Sequence, residues 1–129
     1  MVKIILITHG ALGRALLDTA AGITPLREED VAILSVGAKA DLEAIKEQIK
    51  TKIDPRGTLI LADAFGGTAC NLPAAVSHGM SNVFVLTGLN LNMLLTALNH
   101  RADMPAPVLA KKVLEDGLKS IVNATDRLR

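Results

Sequence analysis

The feature that most constrains the fold of this chain is an unbroken apolar run, Ile-Ile-Leu-Ile at residues 4–7, which Thr8-His9-Gly10 follows directly. Three of its four residues are β-branched, which favours a β-strand. The run does not alternate with polar residues, so both faces of the strand are predicted to be covered, as in parallel sheets. A helical pattern begins near Leu12. We therefore expect His9 at the carboxyl end of the first strand, the edge where ligands bind in open α/β sheets.

Three further apolar runs follow at residues 31–36, 58–62 and 83–87, with helical spacing between them. Strands that alternate with helices imply a parallel sheet with right-handed crossovers. The predicted fold class is α/β. We expect an open, mainly parallel sheet of four to five strands with helices on both faces, as a single domain over residues 1–129.

The first and last helices carry apolar residues that their spacing assigns to the core. For the first helix, over residues 11–23, the predicted inward residues are Leu12, Ala15, Leu16, Thr19, Ala20 and Ile23. The last helix is predicted to start at Pro107. Its predicted inward residues are Val108, Leu109, Val113, Leu114, Leu118, Ile121 and Val122.

Composition excludes several classes of function. The 14 basic and 13 acidic residues leave a net charge of +1, which gives no electrostatic reason to bind nucleic acid or an anionic membrane. Cys70 is the one cysteine, so no internal disulfide can form and a reducing compartment is favoured. No signal peptide is apparent, and no apolar run approaches the roughly 20 residues that span a bilayer. We expect a cytoplasmic protein.

Asp63 is the candidate partner of His9, because it follows the third strand as His9 ends the first. If these strands are neighbours, the carboxylate can accept a hydrogen bond from Nδ1. That bond would fix the tautomer and leave Nε2 as a nucleophile. Taken alone, Asp63 fits equally well as a residue that caps the following turn.

Gly66-Gly67-Thr68 precedes the helix that follows the third strand. Glycines let backbone N–H groups approach an anion, and a helix N-terminus adds partial positive charge. The triplet alone is more typical of an ordinary turn. It lacks the lysine and the spacing of a nucleoside-triphosphate loop, and Gly10 and Gly13 do not have the spacing of a dinucleotide fingerprint.

The remaining reactive side chains favour structural roles. His78 and His100 fall near helix ends, where a cation is favourable, and Cys70 fits a packed small residue. No spacing of histidines, cysteines and acids is typical of a metal site, so neither a metal nor a cofactor is predicted. The other aspartates do not supply the acidic cluster that a response-regulator receiver domain needs.

Three segments in this order resemble the enzyme IIA domains of the mannose family, which belong to the bacterial sugar phosphotransferase system. They are Thr8-His9-Gly10, residues 63–71 (Asp-Ala-Phe-Gly-Gly-Thr-Ala-Cys-Asn) and residues 87–94 (Thr-Gly-Leu-Asn-Leu-Asn-Met-Leu). The resemblance covers essentially the whole chain. The chain departs from the family pattern at Ala69, where a proline is common, and at Ala64, where a larger residue is usual.

The resemblance implies a phosphocarrier that needs no cofactor. His9 would accept a phosphoryl group from the phosphocarrier protein HPr and pass it to a histidine of an enzyme IIB protein, expected as a separate polypeptide. Asp63 would support the histidine, and Gly10, Gly66, Gly67 and Thr68 would bind the phosphoryl group. The resemblance also implies a homodimer, often with an exchanged strand, and contact with a membrane only through a transporter.

Two other functions remain open at this point. One is a regulatory phosphoprotein related to the phosphotransferase subunit of dihydroxyacetone kinase. That subunit usually has serine beside its histidine, whereas this chain has Gly10. The other is a module that binds a small anion at the Gly-Gly-Thr turn and leaves His9 unmodified.

Overall fold

The computed structural model describes residues 1–64 and 66–127, and within them strands alternate with helices as predicted. The strands are β1 (Lys3–His9), β2 (Val31–Val36), β3 (Thr58–Ala62) and β4 (Val83–Leu86). The helices are α1 (Leu12–Ala21), α2 (Leu42–Lys52), α3 (Thr68–Val76), α4 (Leu91–His100), α5 (Ala106–Lys119) and α6 (Ala124–Arg127), and a 3-10 turn, Glu28–Asp30, precedes β2. In this part of the chain no helix has both the length and the apolar character that crossing a membrane requires.

The four strands form one parallel sheet in the order β2-β1-β3-β4, which confirms the predicted fold class. The apolar run of β1 occupies its centre. Ile4 and Leu6 face one side of the sheet and Ile5 and Ile7 face the other, and all four are fully buried. Burial on both faces is the reason that the run shows no alternation.

Helices cover the two faces in separate groups. One core cluster joins Ile4 and Leu6 to residues of α1, α4 and α5, and the other joins Ile5 and Ile7 to residues of α2 and α3. The crossover after β1 therefore runs over one face, while the crossover after β3 runs over the other. Because β1 and β3 are neighbours, their following loops separate and leave a crevice at the carboxyl edge. Such a topological switch point is where open α/β sheets bind ligands.

The predicted inward face of α5 is largely wrong. Leu109 and Val113 are buried as expected, but Val108, Leu114 and Leu118 are exposed. Ile121 and Val122 are also exposed, and they lie beyond the end of α5 at Lys119. The helix instead packs through small residues, Ala106, Ala110 and Gly117. A Cβ added at Gly117 would lie only 2.5 Å from Met93 Cγ. Small side chains let α5 approach α4 closely, and this leaves the larger apolar residues on the outside.

The predicted inward face of α1 needs a similar correction. Of the predicted residues only Ala20 is buried and Leu16 is partly buried, whereas Leu12, Ala15, Thr19 and Ile23 are exposed. The other buried residues are Gly13 and Leu17. Gly13 packs against β1 and β2, because a Cβ there would lie 3.1 Å from Thr8 Oγ1 and 3.5 Å from Ile33 Cγ2. A glycine at the contact again shifts the buried face away from the one that the larger residues indicated.

Candidate active site

His9 and Asp63 are in direct contact at the carboxyl ends of β1 and β3. The Nδ1 atom of His9 lies 3.1 Å from Oδ1 and 3.0 Å from Oδ2 of Asp63. The backbone N–H of His9 also donates to Oδ2, at 2.8 Å. The imidazole is half-exposed, with 52% of its side-chain surface accessible, whereas the figure for Asp63 is 11%. One carboxylate therefore holds both the backbone and the ring of His9.

The charge of Asp63 decides which tautomer of the ring fits this contact. Burial acts to raise the pKa of Asp63, but the hydrogen bonds from the backbone N–H and the ring of His9 outweigh it, and the pKa lies below its ordinary value. The carboxyl group is thus ionised at neutral pH, and an ionised carboxylate only accepts hydrogen bonds. Nδ1 must then carry a proton, so in the neutral ring the lone pair lies on Nε2.

The N-terminus of α3 lies beside the free edge of the imidazole. A Cβ added at Gly67 would lie 3.3 Å from His9 Cε1 and 3.8 Å from Nε2. Gly67 is the N-cap of α3 and Thr68 is its first residue. A helix begins with N–H groups that have no partner within the helix, and glycine has no side chain to accept them. The position combines N–H donors with the positive end of the helix dipole.

Gly66 and Gly10 shape the two loops that border the crevice. Both have positive φ, +81° and +57°, a backbone conformation that glycine adopts without strain. The side-chain amide of Asn71 donates to the carbonyl of Gly66 at 3.1 Å and fixes the turn before α3. An added Cβ at Gly10 or Gly66 would meet open space, so neither glycine clears room for the ring. Phe65, within the motif at residues 63–71, lies outside the described residues.

The third motif, residues 87–94, joins the loop after β4 to the same edge. The backbone N–H of Leu89 donates to the carbonyl of Ala62, the last residue of β3, at 3.0 Å. Asn90 Oδ1 accepts from the backbone N–H of Met93 at 2.9 Å and caps α4. These contacts give the motif a supporting role, because they hold the end of β3 just before Asp63.

Two hydroxyl groups near His9 were not singled out from the sequence. Thr8 Oγ1 accepts from the backbone N–H of Gly13 at 2.8 Å, and Ser35 Oγ donates to the carbonyl of Gly10 at 2.5 Å. The sequence feature that points to them is a polar residue near the carboxyl end of an apolar run, Thr8 in β1 and Ser35 in β2. The partner of Ser35 depends on the pairing of β1 with β2, and the partner of Thr8 depends on the path of the turn between β1 and α1.

The other candidate residues lie apart from His9. Cys70 is buried in the core between the sheet and α2 and α3, as predicted for a packed residue. His100 ends α4, and its Nδ1 lies 3.3 Å from Asp103 Oδ1. His78 follows the end of α3 and is exposed. Among residues 1–64 and 66–127, no group of three or more histidine, cysteine and acidic side chains is arranged to hold a metal ion.

Solved structures of phosphotransferase proteins share this fold along its whole length. Component EIIA of the phosphotransferase system from Streptococcus agalactiae is 28% identical, with a TM-score of 0.89 over 98% of this chain and 99% of that one. The mannose/sorbose-specific IIA subunit from Enterococcus faecalis is 26% identical, with a TM-score of 0.77 over 95% and 93%. A IIA protein associated with the fucose utilization operon of Streptococcus pneumoniae has a TM-score of 0.85 over both complete chains. At 17% identity, it supports the fold alone.

Sequence comparison gives the family. No curated protein matches the chain significantly. The family model EIIA-man, described as the PTS system fructose IIA component, matches residues 3–114, which is most of the chain. The chain therefore belongs to the EIIA-man family and is a IIA component of the sugar phosphotransferase system.

Proposed function

We propose that this chain is a cytoplasmic phosphocarrier, a single IIA domain over residues 1–129 that supports carbohydrate uptake. His9 accepts a phosphoryl group from phospho-HPr and passes it to a histidine of an enzyme IIB protein. The observation that carries the proposal is the geometry of His9. Its Nδ1 is bound to an ionised Asp63, and its half-exposed ring has Nε2 beside the N-terminus of α3, at the switch point of the sheet.

In the proposed transfer, the lone pair of Nε2 attacks the phosphorus of phospho-HPr. A P–N bond forms on His9 while the P–N bond to the donor histidine breaks, and the electron pair of the broken bond stays on the donor nitrogen. No proton has to leave His9, because Nδ1 keeps its proton throughout. The phosphorylated ring gains positive charge, which the carboxylate of Asp63 stabilises. Transfer to enzyme IIB is the same step in reverse, with a new acceptor.

The phosphoryl oxygens need donors once the bond to Nε2 has formed. We assign this role to the backbone N–H groups of Gly66, Gly67 and Thr68. The N–H of Gly10, the other residue expected to bind the phosphoryl group, already donates to the carbonyl of Val36, so Gly10 shapes the turn beside His9 and does not supply a donor. The N–H groups that begin α3 and the positive end of its dipole favour an anion at this position. Phosphoryl transfer depends mainly on positioning and on stabilisation of charge, and neither requires a metal ligand or a deep pocket on this chain.

Protein donors and acceptors fit the exposure of the ring. His9 is half-exposed on the sheet edge, so a histidine carried on the surface of another protein can approach it. HPr and enzyme IIB would dock here in turn, through contacts that release quickly. The anion-binding module is the less favoured alternative, because it gives no reason for the double contact between Asp63 and His9.

We also propose that the protein is a homodimer. Leu114 and Leu118 of α5 are exposed, as is Ile121 just beyond the end of this helix, and exposed apolar surface of this kind marks a contact with another protein. Within the described residues β4 pairs only with β3, so the β4 edge of the sheet is open to a strand of another chain. A Leu118→Glu, Ile121→Glu double variant should run as a monomer by light scattering, where the wild type runs as a dimer. A wild-type monomer would contradict this part of the proposal.

Phosphorylation by phosphoenolpyruvate, enzyme I and a cognate HPr tests the function. Intact mass and acid lability are read on the wild type, on His9→Ala and on His78→Ala as the matched histidine control. We expect one acid-labile phosphoryl group on the wild type and on His78→Ala, and none on a folded His9→Ala protein. A phosphoryl group on His9→Ala would disprove the site, and a wild type that stays unmodified would disprove the phosphocarrier.

A further inference from the structure

The hydroxyl groups of Ser35 and Thr8 hold the turn that follows His9, one from β2 and the other from β1. The turn leaves β1 at His9, passes through Gly10 and enters α1 at Leu12. The Gly10 peptide units are tied to β2, since the Gly10 N–H donates to the carbonyl of Val36 at 3.3 Å and its own carbonyl accepts from Ser35 Oγ at 2.5 Å. On the other side of His9, its backbone N–H is bound by Asp63.

The second hydroxyl group, that of Thr8, takes the place of a side-chain cap at the start of α1. The N-cap of α1 is Ala11, whose side chain has no acceptor for the first free N–H groups of the helix. Thr8, fully buried in β1, supplies one from a distance, because its Oγ1 accepts the N–H of Gly13 at 2.8 Å. Gly13 makes the approach possible, since a Cβ there would lie 3.1 Å from that oxygen. Thr8 therefore ties the start of α1 to the strand that carries His9.

We propose that Ser35 and Thr8 are positioning residues for phosphoryl transfer at His9, an inference that rests on the proposed function. Neither hydroxyl forms a hydrogen bond with the imidazole. They fix the backbone on the two sides of a residue whose ring is half-exposed, so that few packing contacts hold it. Together with Asp63 they determine where Nε2 points. When Ser35 loses its hydroxyl, the Gly10 carbonyl loses this bond, and the positive-φ turn gains freedom at the residue next to His9.

The magnitude follows from how strongly transfer depends on geometry. A misplacement of about 1 Å in a reacting group costs about 10²-fold in rate. A freed Gly10 peptide moves the ring by less than that, because Asp63 still holds it. We therefore expect kcat, here the single-turnover rate constant of phosphoryl transfer at saturating phospho-HPr, to fall about tenfold in Ser35→Ala. Ser35 is exposed, so we expect the melting temperature of Ser35→Ala to stay close to that of the wild type.

The test compares kcat and KM for phospho-HPr with thermal stability in paired variants. Ser35→Ala and Thr8→Val remove a hydroxyl, whereas Ser35→Thr and Thr8→Ser keep one. Thr19→Ala is the matched control, because Thr19 Oγ1 donates to the Ala15 carbonyl within α1 at 2.9 Å and bonds no residue of the His9 turn. We expect lower kcat in the first pair, recovery to within about threefold in the second, and wild-type kcat in the control.

Each outcome bears on one proposal. If the wild type is phosphorylated on His9 and Ser35→Ala and Thr8→Val keep its kcat, the hydroxyls do not position His9 and this inference fails alone. If both variants lose thermal stability while kcat, measured well below the melting temperature, is unchanged, their role is only structural and the inference also fails. If the wild type takes up no phosphoryl group, the proposed function itself fails.

Discussion

Replacing Gly67 with alanine would place a methyl group against the edge of His9 that we propose as reactive. The added Cβ would lie 3.3 Å from Cε1 and 3.8 Å from Nε2. Gly67 has φ −87° and ψ 172°, which alanine adopts without strain. Any effect of Gly67→Ala on phosphorylation must therefore come from contact with the ring or with the group bound to it.

The size of this effect can be estimated from the contact. Carbon atoms pack best at about 3.5–4.0 Å, so the ring must move by a few tenths of an ångström. Its bond to Asp63 resists that movement, and the methyl group also takes space beside Nε2. Since about 1 Å of misplacement costs about 10²-fold, we expect the phosphorylation rate to fall by about tenfold or more. Alanine lowers the entropy of the unfolded chain, which stabilises the fold by about 1 kcal/mol. Alanine is also a weaker N-cap than glycine, which destabilises the fold by about 1 kcal/mol, so the free energy of unfolding should change little.

The assay is the rate of phosphorylation by phospho-HPr, measured with the melting temperature of each variant. Gly37→Ala is the matched control, because Gly37 follows β2 at the same edge, has no positive φ, and would place its Cβ in open space. We expect its rate to stay within about twofold of the wild type. A Gly67→Ala protein that is phosphorylated as fast as Gly37→Ala would refute the assignment of this edge of the ring.

Three further predictions concern the same structure. Asp63→Asn should slow phosphorylation by about 10²-fold or more. An amide N–H facing Nδ1 of His9 favours the tautomer with its proton on Nε2, and the variant lacks the negative charge that stabilises the phosphorylated ring. An unchanged rate would show that Asp63 only caps the turn. The pKa of Asp63 is lowered in the folded protein, so its ionised form stabilises the fold fully above the ordinary pKa of 3.8, and this stabilisation is lost as the pH falls below that value. The difference between the wild type and Asp63→Asn in the free energy of unfolding, measured with denaturant, should therefore narrow below about pH 4. A difference that does not change with pH would contradict this. Gly117→Ala should destabilise the fold by about 1–3 kcal/mol in urea denaturation, because its Cβ would lie 2.5 Å from the buried Met93; a wild-type midpoint would contradict the close packing of α4 on α5.

The fold could be predicted because its signals are local. The run at residues 4–7 is apolar throughout and short, which fits a strand buried on both faces, and three similar runs alternate with helical segments. The chemistry-bearing residues His9 and Asp63 each follow such a run. A parallel sheet brings all carboxyl ends to one edge, so the expectation that these two side chains can meet needed only the adjacency of β1 and β3.

The helix faces were harder to predict, because large apolar residues dominate a periodicity argument. In α5 the packed positions include Ala110 and Gly117, whose contribution is close approach and not apolar area. The hydroxyl contacts of Thr8 and Ser35 were missed for another reason. The Ser35 contact depends on the register of β1 on β2, in which Thr8 pairs with Ser35, and that register is not a property of either segment alone. The Thr8 contact depends on how the turn after His9 brings Gly13 of α1 back against β1.

The most direct test of the central claim is to locate the phosphoryl group on the imidazole. Protein labelled with ¹⁵N is phosphorylated through HPr, and long-range ¹H–¹⁵N spectra of the histidine rings are recorded before and after. The account predicts that Nδ1 of His9 carries the proton in the free protein, that phosphorus is bonded to Nε2 of His9 after transfer, and that the spectra of His78 and His100 do not change. Phosphorus on Nδ1, or on either of the other two histidines, would contradict it.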